Sequence, residues 1–381
     1  MLVLVINCGS SSVKYQVRDT AATGEENQVI AKGLVENIGS AEIPTHTEAL
    51  DIMAQALVEP LHGKTIDAIG HRVVHGGEVF SAPVLIDEEV IAKIDELSPL
   101  APLHNPAHVL GIKAAQATYP GVPMVAVFDT AFHGSMPEHV YRYAVPESFY
   151  TDYGVRRYGF HGTSHDYVTG IAADFLGVKR EDFNGIVAHL GNGASITAIQ
   201  GGKCLDTSMG YTPLAGLVMG TRSGDIDPSA LTSVMLQNPE IDAARMDAIL
   251  NKESGLLAIA GNNDMRSVVE AMESGDERAK LALDMTSYRL AKYIGGYHVA
   301  VGGAQALIFT AGIGENSYQF RTLVGERLGA LGIKLDPEAN LVRGDEPRVI
   351  STEDSAIPVL VVPTNEEKAI AEATMQVVVS A

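Results

Sequence analysis

Ile186-Val187-Ala188-His189-Leu190-Gly191-Asn192-Gly193-Ala194-Ser195-Ile196-Thr197-Ala198-Ile199 is an apolar run, a Gly-Asn-Gly break and a second apolar run. The pattern predicts strand, tight turn, strand. The N-terminus has the same architecture. Residues 2–6 are continuously apolar, Asn7-Cys8-Gly9-Ser10-Ser11-Ser12 interrupts them, and Val13-Lys14-Tyr15-Gln16-Val17 resumes the β-run. The two units share little literal sequence, yet each sets a small polar tip between apolar runs, as at the starts of two duplicated α/β halves. Residues 306–310 make a third strand, followed by Ala311-Gly312-Ile313-Gly314-Glu315-Asn316 read as a Gly-rich turn. This GxG lacks the last glycine of a dinucleotide fingerprint, which speaks against NAD.

At 381 residues, 46% of them hydrophobic and 19% charged, the chain has material for more than one domain and a large core. Its formal net charge of −20 repels polyphosphate backbones and acidic lipid surfaces, so nucleic acid and membrane are poor partners. Cys8 and Cys204 form no CxxC pair, and a reducing, cytoplasmic setting is expected. The apolar start lacks a cationic region before it and reads as a strand rather than an export signal.

Three stretches carry candidate chemistry. Thr221-Arg222-Ser223-Gly224-Asp225-Ile226-Asp227-Pro228 puts an arginine on a turn, free to meet an anion or held in an Asp–Arg pair. His71-Arg72-Val73-Val74-His75 reads as a strand, where β-branched neighbours and the lack of a third ligand argue against zinc. Arg72 beside Val74 suits a small carboxylate with a short alkyl tail. Residues 122–128 read as a buried strand ending in Asp129, where open α/β sheets place ligands. His62-Gly63-Lys64-Thr65 imitates the end of a Walker A loop but has Val58 where a glycine is required.

Helices are expected around residues 48–57, 87–98, 108–118, 166–176, 242–250 and 277–296, with a strand at 358–362. Thr163, Ser164 and Asp166 are candidate caps, with His161 steadying the turn. Residues 254–265 read as a glycine-punctuated connector. Thr364-Asn365-Glu366-Glu367 has capping-box spacing, which gives Glu367 a structural task and leaves Glu366 over.

In order along the chain, NCGSSSVKY, HRVVHGG, PLHNP, FDTAFH, YGFHGTSH, HLGNG, TRSGDIDP, GIGEN and TNEE resemble the acetokinase family, from Asn7 to Glu367. The resemblance implies the duplicated ribonuclease-H-like α/β fold shared with actin, sugar kinases and heat-shock chaperone ATPases, with an interdomain nucleotide cleft. It implies residues 1–131 plus 366–381 as one domain, 132–365 as a second domain carrying most of the nucleotide site, and a homodimer. The implied reaction is reversible transfer from ATP to acetate, giving acetyl phosphate and ADP and serving acetyl-CoA biosynthesis. Mg2+ is the implied metal, with Mn2+ able to substitute.

Residue by residue, the family pattern assigns Asn7 and Glu366 to the metal and Ser10, Ser12 and Lys14 to phosphate. His189, Leu190, Gly191, Asn192, Gly193, Asp264, Met265, Arg266, Gly312, Ile313, Gly314, Glu315 and Asn316 match nucleotide-contacting segments. Asp129, His161 and Arg222 match the catalytic set. Arg72, Val74, Leu103, His104, Phe160 and Pro213 match the acetate site. A carboxylate is already ionised at neutral pH, so Asp129 is expected to orient an arginine or a metal-bound water rather than remove a proton. Ala311 stands where the family usually has glycine, and its methyl is expected to press on the nucleotide side. Propionate or butyrate as acceptor, pyrophosphate as donor, and a non-enzymatic ATP-binding switch are the alternatives that the residues leave open.

Overall fold

The computed structural model describes residues 1–24 and 28–381; residues 25–27, in the polar stretch after the first hairpin, lie outside the described residues. Two compact units emerge. The first comprises Met1–Gly134, Gly162–Ser164 and Asn365–Ala381, and the second Ser135–His161 and His165–Thr364.

The first unit is built on β1 (Leu2–Cys8), β2 (Ser12–Asp19), β3 (Val29–Glu36), β4 (Ala68–Val73), β5 (Val84–Leu85) and β6 (Met124–Phe128), in the order β3-β2-β1-β4-β6-β5. β1, β2 and β3 form an antiparallel meander, β1, β4 and β6 run parallel, and β5 returns antiparallel. Burial follows from position. The central strands β1, β4 and β6 are covered on both faces and are buried nearly throughout, whereas β2 alternates, with Val13, Tyr15 and Val17 inward and Lys14 outward. Leu50, Met53 and Leu57 of helix His46–Leu61 and Ala114 and Ala115 of helix Asn105–Thr118 pack on one face. Ile370 and Ala371 of the C-terminal helix Glu366–Ser380 cover Val3, Val5, Val125 and Val127 on the other. Gly70 makes that contact possible. A Cβ there would lie 2.4 Å from Thr374 Oγ1 and 2.8 Å from the Ile370 side chain.

The second unit repeats the plan with β7 (Gly185–Leu190), β8 (Ala194–Gln200), β9 (Lys203–Thr207), β10 (Ala306–Thr310), β11 (Arg348–Val349) and β12 (Val359–Val361), in the order β11-β12-β10-β7-β8-β9. Read from β9, the scheme is that of the first sheet. β9, β8 and β7 form the meander, β7, β10 and β12 run parallel, and β11 is antiparallel. The two Gly-rich tips, between β1 and β2 and between β7 and β8, therefore occupy equivalent places in two copies of one topology.

The helix expected over 166–176 is Gly162–Phe175, starting four residues earlier, and further local expectations change. Residues 254–265 are not a plain connector: Gly255–Ala260 is a helix, and Met265–Glu273 begins another. The segment after β10 is a helical turn, Ala311–Asn316. Helix Asn105–Thr118 starts three residues earlier than its apolar spacing implies, because Pro106 is compatible with a first turn.

Candidate active site

β4 and β6 are adjacent and parallel, with Arg72 in register with Val127, so the Arg72 side chain and the first residue beyond β6 meet. That residue is Asp129. Arg72 Nε donates to Asp129 Oδ1 at 2.9 Å and Arg72 Nη2 to Oδ2 at 2.6 Å. Asp129 is buried and Arg72 half-buried. The carboxylate charge holds the guanidinium pKa above its ordinary value against the opposing effect of burial, with Glu366 and Glu367 adding to it.

The glutamates start the C-terminal helix. Asn365 caps it by accepting from Lys368 N at 3.0 Å, so the Thr364–Glu367 capping box is not formed. Glu367 is instead bonded to Lys14, and that pairing takes its pKa below the ordinary carboxylate range although burial pushes the other way. Glu366 Oε2 lies 3.9 Å from Arg72 Nε. Burial raises the Glu366 pKa, Arg72 opposes this, and Asp129 and Glu367 reinforce it. Three carboxylates thus share two side-chain cations, an imbalance that a further cation would relieve. Asn7 stands on β1 opposite Lys14, at the same hairpin. Among the described residues no three or more His, Cys, Asp or Glu side chains form a metal cage. One carboxylate and one amide suit Mg2+, which keeps most of its waters.

His71 and His108 are buried beside this cluster, and burial takes the pKa of each down to about 3, so both are neutral. His75 Nδ1 accepts from Gly77 N. Of the expected acetate-site residues in this unit, Val74 is buried, His104 is half-buried and Leu103 is exposed. Ser10 is exposed at the hairpin tip, where Gly9 N donates to Ser12 O at 2.7 Å.

In the second unit, Arg222 lies on the non-helical segment before helix Pro228–Gln237. Gly224 makes the turn possible, with φ of 67° and no room for a Cβ, which would lie 2.4 Å from Leu217 O. The neighbouring aspartates are engaged elsewhere. Asp225 accepts from Gly216 N at 2.8 Å and Tyr293 OH at 2.6 Å, and Asp227 caps the helix through Ser229 N. The Asp–Arg pair considered for this turn is absent. Among the described residues Arg222 has no ion pair; its Nη1 donates to Pro213 O at 3.2 Å and lies 3.7 Å from Met219 Sδ. Burial lowers its pKa with no carboxylate opposing the shift.

His161 comes to the same place. It is the N-cap residue of helix Gly162–Phe175 in a left-handed conformation (φ 58°, ψ 23°), without a side-chain cap bond. Its ring stacks on His189 at 4.3 Å, and Nδ1 is 2.9 Å from Ser195 Oγ. A Cβ at Gly193 would lie 3.3 Å from Arg222 Nη1 and 3.6 Å from His161 Nε2, so the two side chains converge on the β7–β8 tip. Phe160 is buried and Pro213 half-buried. Asp166, a candidate cap, pairs with Arg180 instead.

A pocket of about 720 Å³ opens beside this tip. It is lined by Gly191 and Asn192, by Asp264, Met265 and Arg266, and by Gly312, Ile313 and Asn316, three segments far apart in sequence. An open cavity lined by three converging segments with polar and apolar groups has the character of a small-molecule site.

A model of the Acetokinase family matches residues 2–372. An acetate kinase of Arthrobacter sp. (strain FB24) is 62% identical over 391 residues, covering 100% of both chains. The crystal structure of Porphyromonas gingivalis acetate kinase superposes with a TM-score of 0.93 at 46% identity, covering 99% of each chain. A propionate kinase from Francisella tularensis gives 0.91 at 43%, covering 98% of this chain and 99% of that one. The chain belongs to the acetokinase family.

Within this family member, the expected nucleotide residues divide. His189, Leu190 and Gly193 lie along the tip rather than on the cavity wall, Gly314 is buried, and the Glu315 carboxylate turns inward. Glu315 Oε1 accepts from Ala311 N at 2.8 Å and Thr364 N at 3.0 Å, tying the helical turn to the segment that leads into Glu366. From behind, buried Arg321 donates to Gly314 O and Glu315 O at 2.8 and 2.9 Å and to Asn340. Asp264 caps helix Met265–Glu273 and pairs with Arg266. Sequence reasoning missed Arg321, Ser195 and His165. His165 does lie within YGFHGTSH, and Ser195 lies two residues beyond the tip.

Proposed function

We propose that this acetokinase family enzyme is an ATP:acetate phosphotransferase that reversibly forms acetyl phosphate and ADP. The observation that carries the reading is Arg222, a desolvated guanidinium without a carboxylate partner among the described residues, which converges with His161 on a Gly-rich tip. Such a group gains most from charge that spreads over phosphoryl oxygens in the transition state.

An acetate oxygen attacks the γ-phosphorus, the bond from phosphorus to the ADP oxygen breaks, and ADP leaves with the electron pair. No base is needed because the acetate is already ionised. Arg72, fixed by Asp129 through Nε and Nη2, holds the carboxylate with its remaining edge, and Asp129 is a positioning residue. Val74, Leu103, Phe160 and Pro213 receive the methyl group, and His104 assists at the acetate site. His161 and Arg222 receive phosphoryl oxygens, Ser10, Ser12 and Lys14 the polyphosphate, and the lined pocket the nucleoside. Asn7 and Glu366 would hold Mg2+, with Mn2+ as a substitute, which when bound neutralises phosphate charge.

A second reading, propionate kinase, draws on the Francisella tularensis structure, because fold alone does not separate the acids. Trapping acyl phosphate with hydroxylamine, with acetate, propionate and butyrate crossed against ATP and pyrophosphate, tests both. Acetate with ATP is expected to give the highest kcat/KM. No hydroxamate with any acid would overturn the assignment.

A homodimer is proposed for the second unit. Helix Pro228–Gln237 has no buried residue and exposes Val234 and Leu236, and helix Glu277–Ala300 exposes Leu281, Met285 and Tyr288. The cytoplasm, which supplies ATP and keeps Cys8 and Cys204 reduced, is the proposed compartment. No described helix is long and apolar enough to cross a membrane.

A further inference from the structure

Ser195 stands on β8 directly opposite His189 on β7 and is fully buried. Its Oγ is 2.9 Å from His161 Nδ1 and 2.7 Å from His165 Nε2. A hydroxyl has one proton and two acceptor sites, so it can donate to only one of these rings. The ring that does not receive must donate its own N–H to Oγ. The direction of this chain decides which nitrogen of His161 carries hydrogen, because a neutral imidazole has one donor and one acceptor.

The far nitrogen of His161, Nε2, faces the Gly193 tip beside Arg222 Nη1. The ring has little freedom to turn away. It is stacked on His189 with planes 20° apart, and its backbone is held at a φ that non-glycine residues rarely adopt. An Nε2 bearing hydrogen would offer a donor to an anionic oxygen at this point. An Nε2 without hydrogen would offer a lone pair and repel it.

We propose that Ser195 and His165 are positioning residues that fix His161 as the Nε2–H tautomer. His165 Nε2–H donates to Ser195 Oγ, and Ser195 Oγ–H donates to His161 Nδ1. Both act through the His161 ring. The tautomer is chosen because an anionic oxygen at this point needs a donor, so it rests on the phosphoryl-transfer reading above; the spectra read it independently of activity.

Long-range 15N–1H correlation spectra of the full chain with labelled histidine, free of substrates at pH 8, report the tautomer. His161 is assigned by the signals lost in His161→Asn. Wild-type protein is expected to show the Nε2–H form, and Ser195→Ala a mixture or the Nδ1–H form. His165→Gln, which keeps an N–H donor, is expected to retain the tautomer, and His165→Leu to lose it. In parallel, Ser195→Ala is expected to lower kcat by about tenfold or more with the KM values within about twofold, as a wrongly oriented imidazole does. An Nδ1–H form of His161 in the wild type overturns the proposal whatever the activity, as does Ser195→Ala with both tautomer and kcat unchanged. A wild-type Nε2–H form without acyl phosphate formation would support the relay and remove the phosphoryl-transfer reading.

Discussion

Arg72 and Arg222 stand at matching ends of two sheets with one topology, yet their electrostatic surroundings are opposite. Arg72 projects from the central strand β4 into a bidentate pair with buried Asp129, with Glu366 nearby. Arg222 projects from a loop, is propped by a carbonyl and a thioether, and has no carboxylate partner among the described residues. A guanidinium already neutralised and fixed in place contributes position, which serves the bound substrate and the transition state alike. One that is desolvated and uncompensated contributes field, which matters most as negative charge spreads. The first half should therefore govern KM and the second kcat.

Arg222→Leu is the harshest test of this division. A fall in kcat of about a thousandfold or more is expected, with little change in the KM for ATP. The melting temperature should stay near wild type, because no ion pair is lost. Arg222→Lys should rescue poorly, since an ammonium cannot span two oxygens. A folded Arg222→Leu enzyme with near-normal kcat would abolish the contrast.

Asp129→Ala probes the other half and should act on recognition and stability together. Leaving half-buried Arg72 without its partner is expected to cost on the order of 2 kcal/mol in a denaturant titration and to raise the KM for acetate about tenfold or more. Arg72→Leu should raise the same KM by at least as much, with kcat changed far less than in Arg222→Leu. If Asp129→Ala lowered kcat alone, with stability and KM intact, Asp129 would act in the chemical step rather than through Arg72.

The paired sheets were legible because their signal is local. Each hairpin is an apolar run, a Gly-containing tip and a second run, and parallel central strands such as residues 124–128 are apolar throughout. Arg72, Asp129 and Arg222 were legible as residue types at strand ends and turns. Their partners were not. Asp225 stands three residues from Arg222 but is satisfied by Tyr293, 68 residues on, and Ser195 reads as an ordinary strand residue until His161 and His165 are brought to it. Helix Gly255–Ala260 is too short to show a helical period. The C-terminal cap moved from Thr364 to Asn365 because the Asn365 side chain reaches Lys368 N, while Lys14, more than 350 residues earlier, takes Glu367.

Val74→Ala sharpens the claim that the first half selects the acid. Val74 is buried two residues beyond Arg72. Removing its two methyl groups should favour propionate or butyrate over acetate by roughly 1 kcal/mol, about fivefold in the ratio of kcat/KM values. An unchanged ratio across the three acids would take Val74 out of the pocket and leave selection to the other lining residues.

The smallest effect is expected at Ala311, in the second half. Its φ is 64°, in the region where glycine is at ease and a Cβ is strained by about 1 kcal/mol or more. The residue is buried, and the adjoining pocket is lined by Gly312 and Ile313 rather than by Ala311. The departure from the family's usual glycine should therefore be felt in the backbone, not by the nucleotide. What holds the strained turn is the Glu315 carboxylate on Ala311 N and the Arg321 guanidinium on the carbonyls of Gly314 and Glu315. Ala311→Gly releases the strain but gives the unfolded chain more freedom, which offsets part of the gain. A net rise in melting temperature of roughly 2 °C is expected, with the KM for ATP unchanged. A lower KM for ATP with no change in melting temperature would mean that the methyl group presses on the nucleotide after all, and that this half governs ground-state binding as well as kcat.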